Sequence, residues 1–206
     1  MNRAKLALVY VFHPIEAMDI IKRERDKLKI YPVVILYALA FLSHLLSLLI
    51  THYPLRSMQP EDINFALELL KVNGIVFSWI VAAYAISSIM SGEARFIELL
   101  TASAYAYIPF IILSPVVALI SNLLSQNNMG FYVTLQSIII GWVVLGLIFS
   151  FVRQCDYGFG QTILVGLLSL VLMVLIWGLL VLFVALCIQA GSFLTHIFQE
   201  ISFKYF

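Results

Sequence analysis

The sequence predicts an all-α protein: a polytopic transmembrane bundle of about five helices, with an N-terminal amphipathic interfacial helix and a C-terminal interfacial segment. Two observations carry that expectation. Of 206 residues, 63% are hydrophobic and 11% charged, whereas a soluble domain carries about 25% charged residues and under half apolar ones. The mean hydropathy of +1.03 agrees. The apolar residues also fall into runs of about 20, the length that crosses a ~30 Å hydrocarbon core as a helix. A water-soluble fold of this length could not hide so much apolar surface. A lipid solvent removes the problem.

Residues 1–30 read as a cytoplasmic-surface segment. No short apolar core with a small-residue cleavage site suggests a signal peptide, so the first long apolar run is expected to act as the anchor. His13-Pro14 opens a helix, because proline at the first helical position gives up no needed N–H. Ile15, Met18 and Ile21 then share one face, ahead of Lys22-Arg23-Glu24-Arg25-Asp26-Lys27-Leu28-Lys29. Such a helix is expected to lie among lipid headgroups with its apolar face down. The charge run reads as a solvated, headgroup-facing stop signal or as a docking surface for a partner.

The membrane domain is expected over residues 31–190. Span one covers residues 31–51. Residues 52–71 begin polar, and Pro60-Glu61-Asp62 gives a helix start, with acids against the positive dipole end. Ile63, Leu67 and Leu70 form its apolar stripe, on the outer interface or running into span two. Asn73-Gly74 marks a local break at the membrane surface. Span two, residues 72–90, sets Ala83, Ser87 and Ser91 four apart, a spacing that lets helices approach closely in lipid. Span three, residues 101–124, repeats this with Ala102 and Ala106. It carries Pro109 and Pro115, each of which removes an internal hydrogen bond and predicts a bend or break. Span four, residues 131–152, has Gly146 and Ser150 on one small-residue face. Span five begins near Gln161 and stays apolar to Cys187. Ala190-Gly191-Ser192 predicts a break, followed by an aromatic interfacial helix over residues 191–206.

Cys155 and Cys187 stand at opposite ends of that last span. About 32 residues at ~1.5 Å each part them by roughly 48 Å, beyond the ~7 Å reach of a disulfide. Neither has CxxC or His/Cys metal spacing.

The five-span reading places Arg3, Lys5, Lys22, Arg23, Arg25, Lys27, Lys29, Arg95 and Arg153 on one side, against Arg56, Lys71 and Lys204 on the other. Positive charge marks the cytoplasmic side. The N-terminus is thus expected in the cytoplasm and the C-terminus outside, in the plasma (inner) membrane. A sixth span hidden in the last run would return the C-terminus inside. The net charge of +1 offers no basic field for nucleic acid.

Catalytic constellations are scarce. GxSxG, HExxH, P-loop, GxGxxG and paired intramembrane carboxylates are all missing. An ionisable residue inside a span is the default functional flag, and His44 is the clearest, with His52 at the outer end of span one. His44 is expected to bond a backbone carbonyl or a neighbouring hydroxyl. Gln136 and Asn122 read as interhelical hydrogen-bonding or interface residues. A non-enzymatic role without cofactor or metal is the expectation.

Three segments together resemble the Yip-domain family of integral membrane proteins, named for interaction with Ypt/Rab-type GTPases. They are Val11-Phe12-His13-Pro14 ahead of a mixed-charge helix, the turn Ser91-Gly92-Glu93-Ala94-Arg95-Phe96, and Ala104-Tyr105-Ala106-Tyr107-Ile108-Pro109 opening span three. Ser91 stands where the charged turn usually has a second glycine. The long soluble N-terminal region typical of eukaryotic members is not seen, so GTPase binding is not carried over and the resemblance is to compact bacterial members. It implies a five-span fold and, as partner, another integral membrane protein, with the permease of a carbohydrate ABC importer as the class the resemblance suggests. Lys22, Arg23 and Arg25 of the basic helix, with Gly92, Arg95, Tyr105 and Pro109 of the motifs, are the candidate partner or lipid interface. A scaffold or accessory subunit is the leading expectation. A stand-alone transporter or channel, or a membrane-organising or trafficking factor, is the alternative.

Overall fold

A computed structural model of the chain describes residues 3–55, 63–90, 92–155 and 157–205. Among these residues the regular structure is helical throughout, and five segments are long and apolar enough to span a membrane. The all-α polytopic bundle is therefore the fold.

Two short helices precede the spans, α1 (Arg3–Phe12) and α2 (Pro14–Arg23). Pro14 sits in the first turn of α2, as expected from its sequence position. The amphipathic pattern is present, but Met18 and Ile21 of its apolar face are covered by protein where lipid was expected, while Ile15 stays exposed. Leu6, Tyr10, Ala17, Met18 and Ile21 are buried with Ala102, Tyr105, Ala106 and Ile108 of the third span. The Gln154 amide donates to the Met18 carbonyl at 3.1 Å, tying α2 to the fourth span. A protein groove and a lipid surface ask for the same apolar stripe, so periodicity alone does not separate them.

Span one is α3 (Ile30–Ile50). Span two starts earlier than its hydropathy suggests. The Asn64 side chain accepts from the N–H groups of Ala66 and Leu67 at 3.1 and 3.3 Å, capping α4 (Phe65–Leu69). The helix then widens into one π turn, Leu70–Gly74, and continues as α5 (Ile75–Ile89). Asn73-Gly74 thus lies in a bulge, not in a break. The expected apolar stripe is also reversed: Leu67 and Leu70 are exposed, while Glu68 between them is 4% exposed. In lipid, leucine faces outward at no cost and the carboxylate is the group that needs cover. Pro60-Glu61-Asp62 and Ser91 lie outside the described residues.

Span three is divided at Tyr107 into α6 (Phe96–Ala106) and α7 (Ile108–Ser121), with Pro109 in the first turn of α7 and Pro115 inside it. The break expected at Pro109 is there, whereas the helix continues through Pro115, where a bend or break was also expected. This span is the centre of the bundle: 56% of its apolar window is buried, against at most 33% in the others. Span four is α8 (Met129–Cys155). A Cβ on Gly146 would collide with the Tyr10 hydroxyl and lie 3.0 Å from the Ala106 Cβ. Glycine is therefore what lets α8, α6 and α1 meet. Ala83, Ser87, Ala102, Ala106 and Ser150 are likewise buried inside the chain. The small-residue faces are used internally.

The last helix, α9 (Phe159–Tyr205), is 47 residues long and runs unbroken through Ala190-Gly191-Ser192, where a break was expected. One glycine costs a helix only about 1 kcal/mol, whereas each backbone group left unpaired in hydrocarbon costs several. Val165 and Ser169 are fully buried, and the Trp177 indole N–H donates to the Ser78 hydroxyl at 3.0 Å, fixing the first part of α9 on α5. Beyond Trp177, residues 178–196 are all exposed.

Candidate functional site

The interior polar site is built by α3, the second span, α7 and α8. His44 Nε2 lies 2.8 Å from Glu68 Oε2, and Lys71 Nζ lies 2.5 Å from Glu68 Oε1. The carboxylate thus holds one partner on each oxygen. The expectation that His44 bonds a carbonyl or hydroxyl is corrected: its partner is a buried carboxylate. Glu68 and Lys71 are the residues that sequence reasoning missed. From the sequence, residues 52–71 lie on the outer interface or run into span two, with Lys71 counted among the outer charges. With the helix starting at Phe65, Glu68 and Lys71 lie roughly 5 and 9 Å inside it, and His44 roughly 9 Å from the far end of α3.

The π turn carrying Lys71 is held from two sides. The Tyr107 hydroxyl donates to the Val72 carbonyl, and the Asn73 amide donates to the Tyr37 carbonyl at 3.4 Å. The rings of Tyr37 and Tyr107 meet edge to face at 5.7 Å. A π bulge widens a helix locally and often accompanies a functional site. Here it presents Lys71 to Glu68 three residues before it.

A hydroxyl seam continues from this cluster along α3. The Ser47 and Ser114 hydroxyls are 2.7 Å apart, and Ser43 donates to the Ile111 carbonyl at 2.9 Å. Thr51 and Tyr132 meet at 3.2 Å, and Gln136 donates to the Tyr132 hydroxyl at 2.9 Å. Asn122 reaches the Ile50 carbonyl at 3.3 Å, the interhelical role expected of it. Gln136 instead bonds within its own helix and crosses to α3 only through Tyr132. A cavity of about 290 Å³ is lined by His44, Ser47, Thr51, Ser114, Tyr132 and Gln136 among others. The arrangement offers a hydrogen-bonded His–Glu pair, an ammonium and a wall of hydroxyls. No group of three or more metal-ligating side chains occurs among the described residues.

The second polar cluster lies at the other end of the bundle. Arg95 meets Asp26 at 2.9 Å, Arg153 meets Asp19 at 3.8 Å, and Lys22 Nζ donates to the Arg153 carbonyl at 3.3 Å. The Glu98 carboxylate accepts from the Arg95 N–H at 3.3 Å, capping α6. These contacts latch α2 and the segment after it onto α6 and α8. Arg23 and Arg25 are exposed.

A family model of the Yip1 domain matches residues 8–195. The chain belongs to the Yip1-domain family. No curated protein and no solved structure matches it. The Yip1 match begins within α1 and ends within the exposed part of α9, so both belong to the domain.

The motif residues of this Yip1 domain serve its own packing. A Cβ on Gly92 would collide with the Tyr157 hydroxyl, which donates to the Ser87 carbonyl at 3.1 Å. The Gly92 N–H donates to the same carbonyl at 2.8 Å. The glycine lets the turn after span two close against the turn before α9. Tyr105 is 2% exposed among the N-terminal helices, and Pro109 is buried at the start of α7. The structure therefore brings Lys22 and Arg95 to one end of the bundle, seats Gly92 in an internal closure, and places Tyr105 and Pro109 in the core.

Proposed function

We propose that this Yip1 domain is a non-enzymatic integral membrane accessory subunit that docks on another membrane protein through the free part of α9. The observation that carries the reading is the length of that helix. Its apolar stretch of 37 residues is roughly 55 Å long, against a ~30 Å hydrocarbon core. Tilts reach about 40°, which still leaves it too long. Residues 178–196 alone, about 19 residues or roughly 28 Å, equal a bilayer's hydrocarbon thickness. They carry no Asp, Glu, Lys or Arg, and every one of them is exposed. Another membrane protein's helices would cover them, and the resemblance to bacterial members makes a carbohydrate ABC permease the partner class to try first. The basic end is proposed to face the cytoplasm, with the plasma membrane as location. Lys71 pairs inside a span, so the charges opposing that orientation reduce to Arg56 and Lys204.

The small-residue faces do not support docking, because the bundle consumes them. Tagged full-length chain and a chain ending at Trp177, purified in mild detergent, test the reading. A stoichiometric membrane partner with the first and not the second is expected. No such partner with either contradicts it.

The interior cluster favours a second reading, solute passage by the chain alone. Flux through liposomes holding only this protein, lost in Glu68→Gln, is its expected signature; tight liposomes contradict it.

A further inference from the structure

The cavity beside His44 has a neighbour. A second, more open chamber of about 330 Å³ lies beside it, lined by Val76, Tyr107, Phe110, Ile140, Val143 and Leu147 among others. His44 and Gln136 line both chambers, and Lys71 lines the second. On α8 the lining positions 132, 136, 140, 143 and 147 recur every three or four residues, so one helix face forms a continuous wall. The two chambers adjoin along this wall and form one cleft with two characters. The part near Ser47, Thr51 and Tyr132 is the more enclosed and is rich in hydroxyls. The other, rimmed by the exposed Ile140 and Val144, is aliphatic and aromatic and opens toward the bilayer. The ammonium of Lys71, the imidazole of His44 and the amide of Gln136 stand at the neck between them.

That division restricts the ligand. A wholly polar solute would leave the apolar chamber empty. The hydroxyl protons of Ser47 and Thr51 are already given within the bundle, so what a ligand finds there is spare acceptor lone pairs, which suit a headgroup that donates hydroxyl hydrogens. Together the chambers fall within the ~300–1,000 Å³ range of small-molecule sites. Lys71 brings three donors and gives one to Glu68, so it can also meet ester or phosphate oxygens at the neck. We infer that the cleft is a specific site for one membrane lipid. Its hydroxyl-bearing headgroup lies against Ser47, Thr51, Tyr132 and Gln136, and an acyl chain lies in the chamber lined by Phe110, Ile140 and Val143. The lipid enters from the surrounding bilayer at the end of the bundle opposite α1 and α2. This inference does not depend on what covers α9.

Native mass spectrometry of the delipidated full-length protein tests it, with phosphatidylglycerol as the hydroxyl-bearing probe and phosphatidylcholine of the same chains as the comparison. The wild type is expected to retain one phosphatidylglycerol, at least tenfold more tightly than phosphatidylcholine. Ile140→Trp fills the apolar chamber from a side chain already exposed on its rim, and is expected to weaken that retention at least tenfold. Val144→Trp, from another lining position, provides a second filling variant should the first not fold. Leu145→Trp, exposed on the same helix and lining neither chamber, should bind as the wild type does. Gln136→Leu should bring the ratio of the two lipids toward one. Equal retention of both lipids by the wild type overturns the headgroup assignment. Unchanged retention in a folded filling variant shows surface lipid only and overturns the site.

Discussion

The Ser43 hydroxyl supplies the hydrogen bond that Pro115 withholds. In a regular α7 the residue 115 N–H would donate to the Ile111 carbonyl, and proline has none. Ser43, on α3, donates to that carbonyl at 2.9 Å. The carbonyl that Pro115 frees inside α7 is thereby satisfied by span one, in a setting where water is not at hand to do so. The two residues should be energetically coupled. Ser43→Ala is expected to destabilise the bundle by roughly 0.6–1.7 kcal/mol, the range of interhelical bonds in membranes. In a Pro115→Ala background, which restores the N–H, the same change should cost less. A double-mutant cycle by reversible unfolding in mixed micelles measures the difference; additive effects contradict the coupling.

The ion-pair cluster predicts an asymmetry. Lys71→Met leaves the charge of Glu68, whose side chain is 5% exposed, with His44 alone. Glu68→Gln leaves the charge of Lys71, whose side chain is 57% exposed and able to turn toward headgroups. Lys71→Met should therefore cost more, roughly 1–3 kcal/mol after allowing for partial exposure. The double variant should recover most of that loss. Thermal unfolding of the four proteins in one detergent decides the order.

At the α1–α8 contact, Tyr10 and Gly146 should show rescue. The buried Tyr10 hydroxyl has no hydrogen-bond partner among the described residues, so Tyr10→Phe should be neutral or stabilising by up to about 1 kcal/mol. Gly146→Ala should destabilise by roughly 1–3 kcal/mol through overpacking. Tyr10→Phe removes one of the two colliding groups and should restore part of the loss, with the Ala106 contact keeping the remainder. Lack of any rescue would place the strain elsewhere.

Burial also pushes the phenols of Tyr10 and Tyr157 above the ordinary tyrosine value of 10.0. The unfolded chain then releases these protons first as pH rises. Their contribution is intact below about pH 10 and is lost progressively above it. Tyr10→Phe and Tyr157→Phe should each flatten the fall of the unfolding midpoint between about pH 9.5 and 11. An unchanged slope in both contradicts the burial argument.

How much of this was legible in the sequence follows from which forces write a pattern. Hydropathy alone marks spans one, three and four within a few residues, because bilayer thickness fixes their length. Pro109 marks the break of span three, since its chemistry is local. Glu68 was hidden by the opposite logic: a window average sees a charge and a nearby lysine and places both in water. The signal that finds them is the Asn64 cap, four residues before Glu68, with Glu68 and Lys71 spaced to pair along one helix. The amphipathy of α2 identifies an apolar face without naming its cover, since Met18 and Ile21 meet Tyr105 as readily as lipid. Ala190-Gly191-Ser192 looks like a stop by aqueous rules, where a free carbonyl finds water. In hydrocarbon those residues carry the helix on.

Cys187 tests the central claim most directly. It lies exposed on the free part of α9, whereas Cys155 is buried, so a thiol-reactive photocrosslinker on the folded protein in its native membrane labels that helix selectively. The docking account predicts one dominant adduct to a second, different integral membrane protein, absent when the label is moved to the lipid-facing position of Leu145. Adducts only to lipid, or only to another copy of this chain, would contradict it.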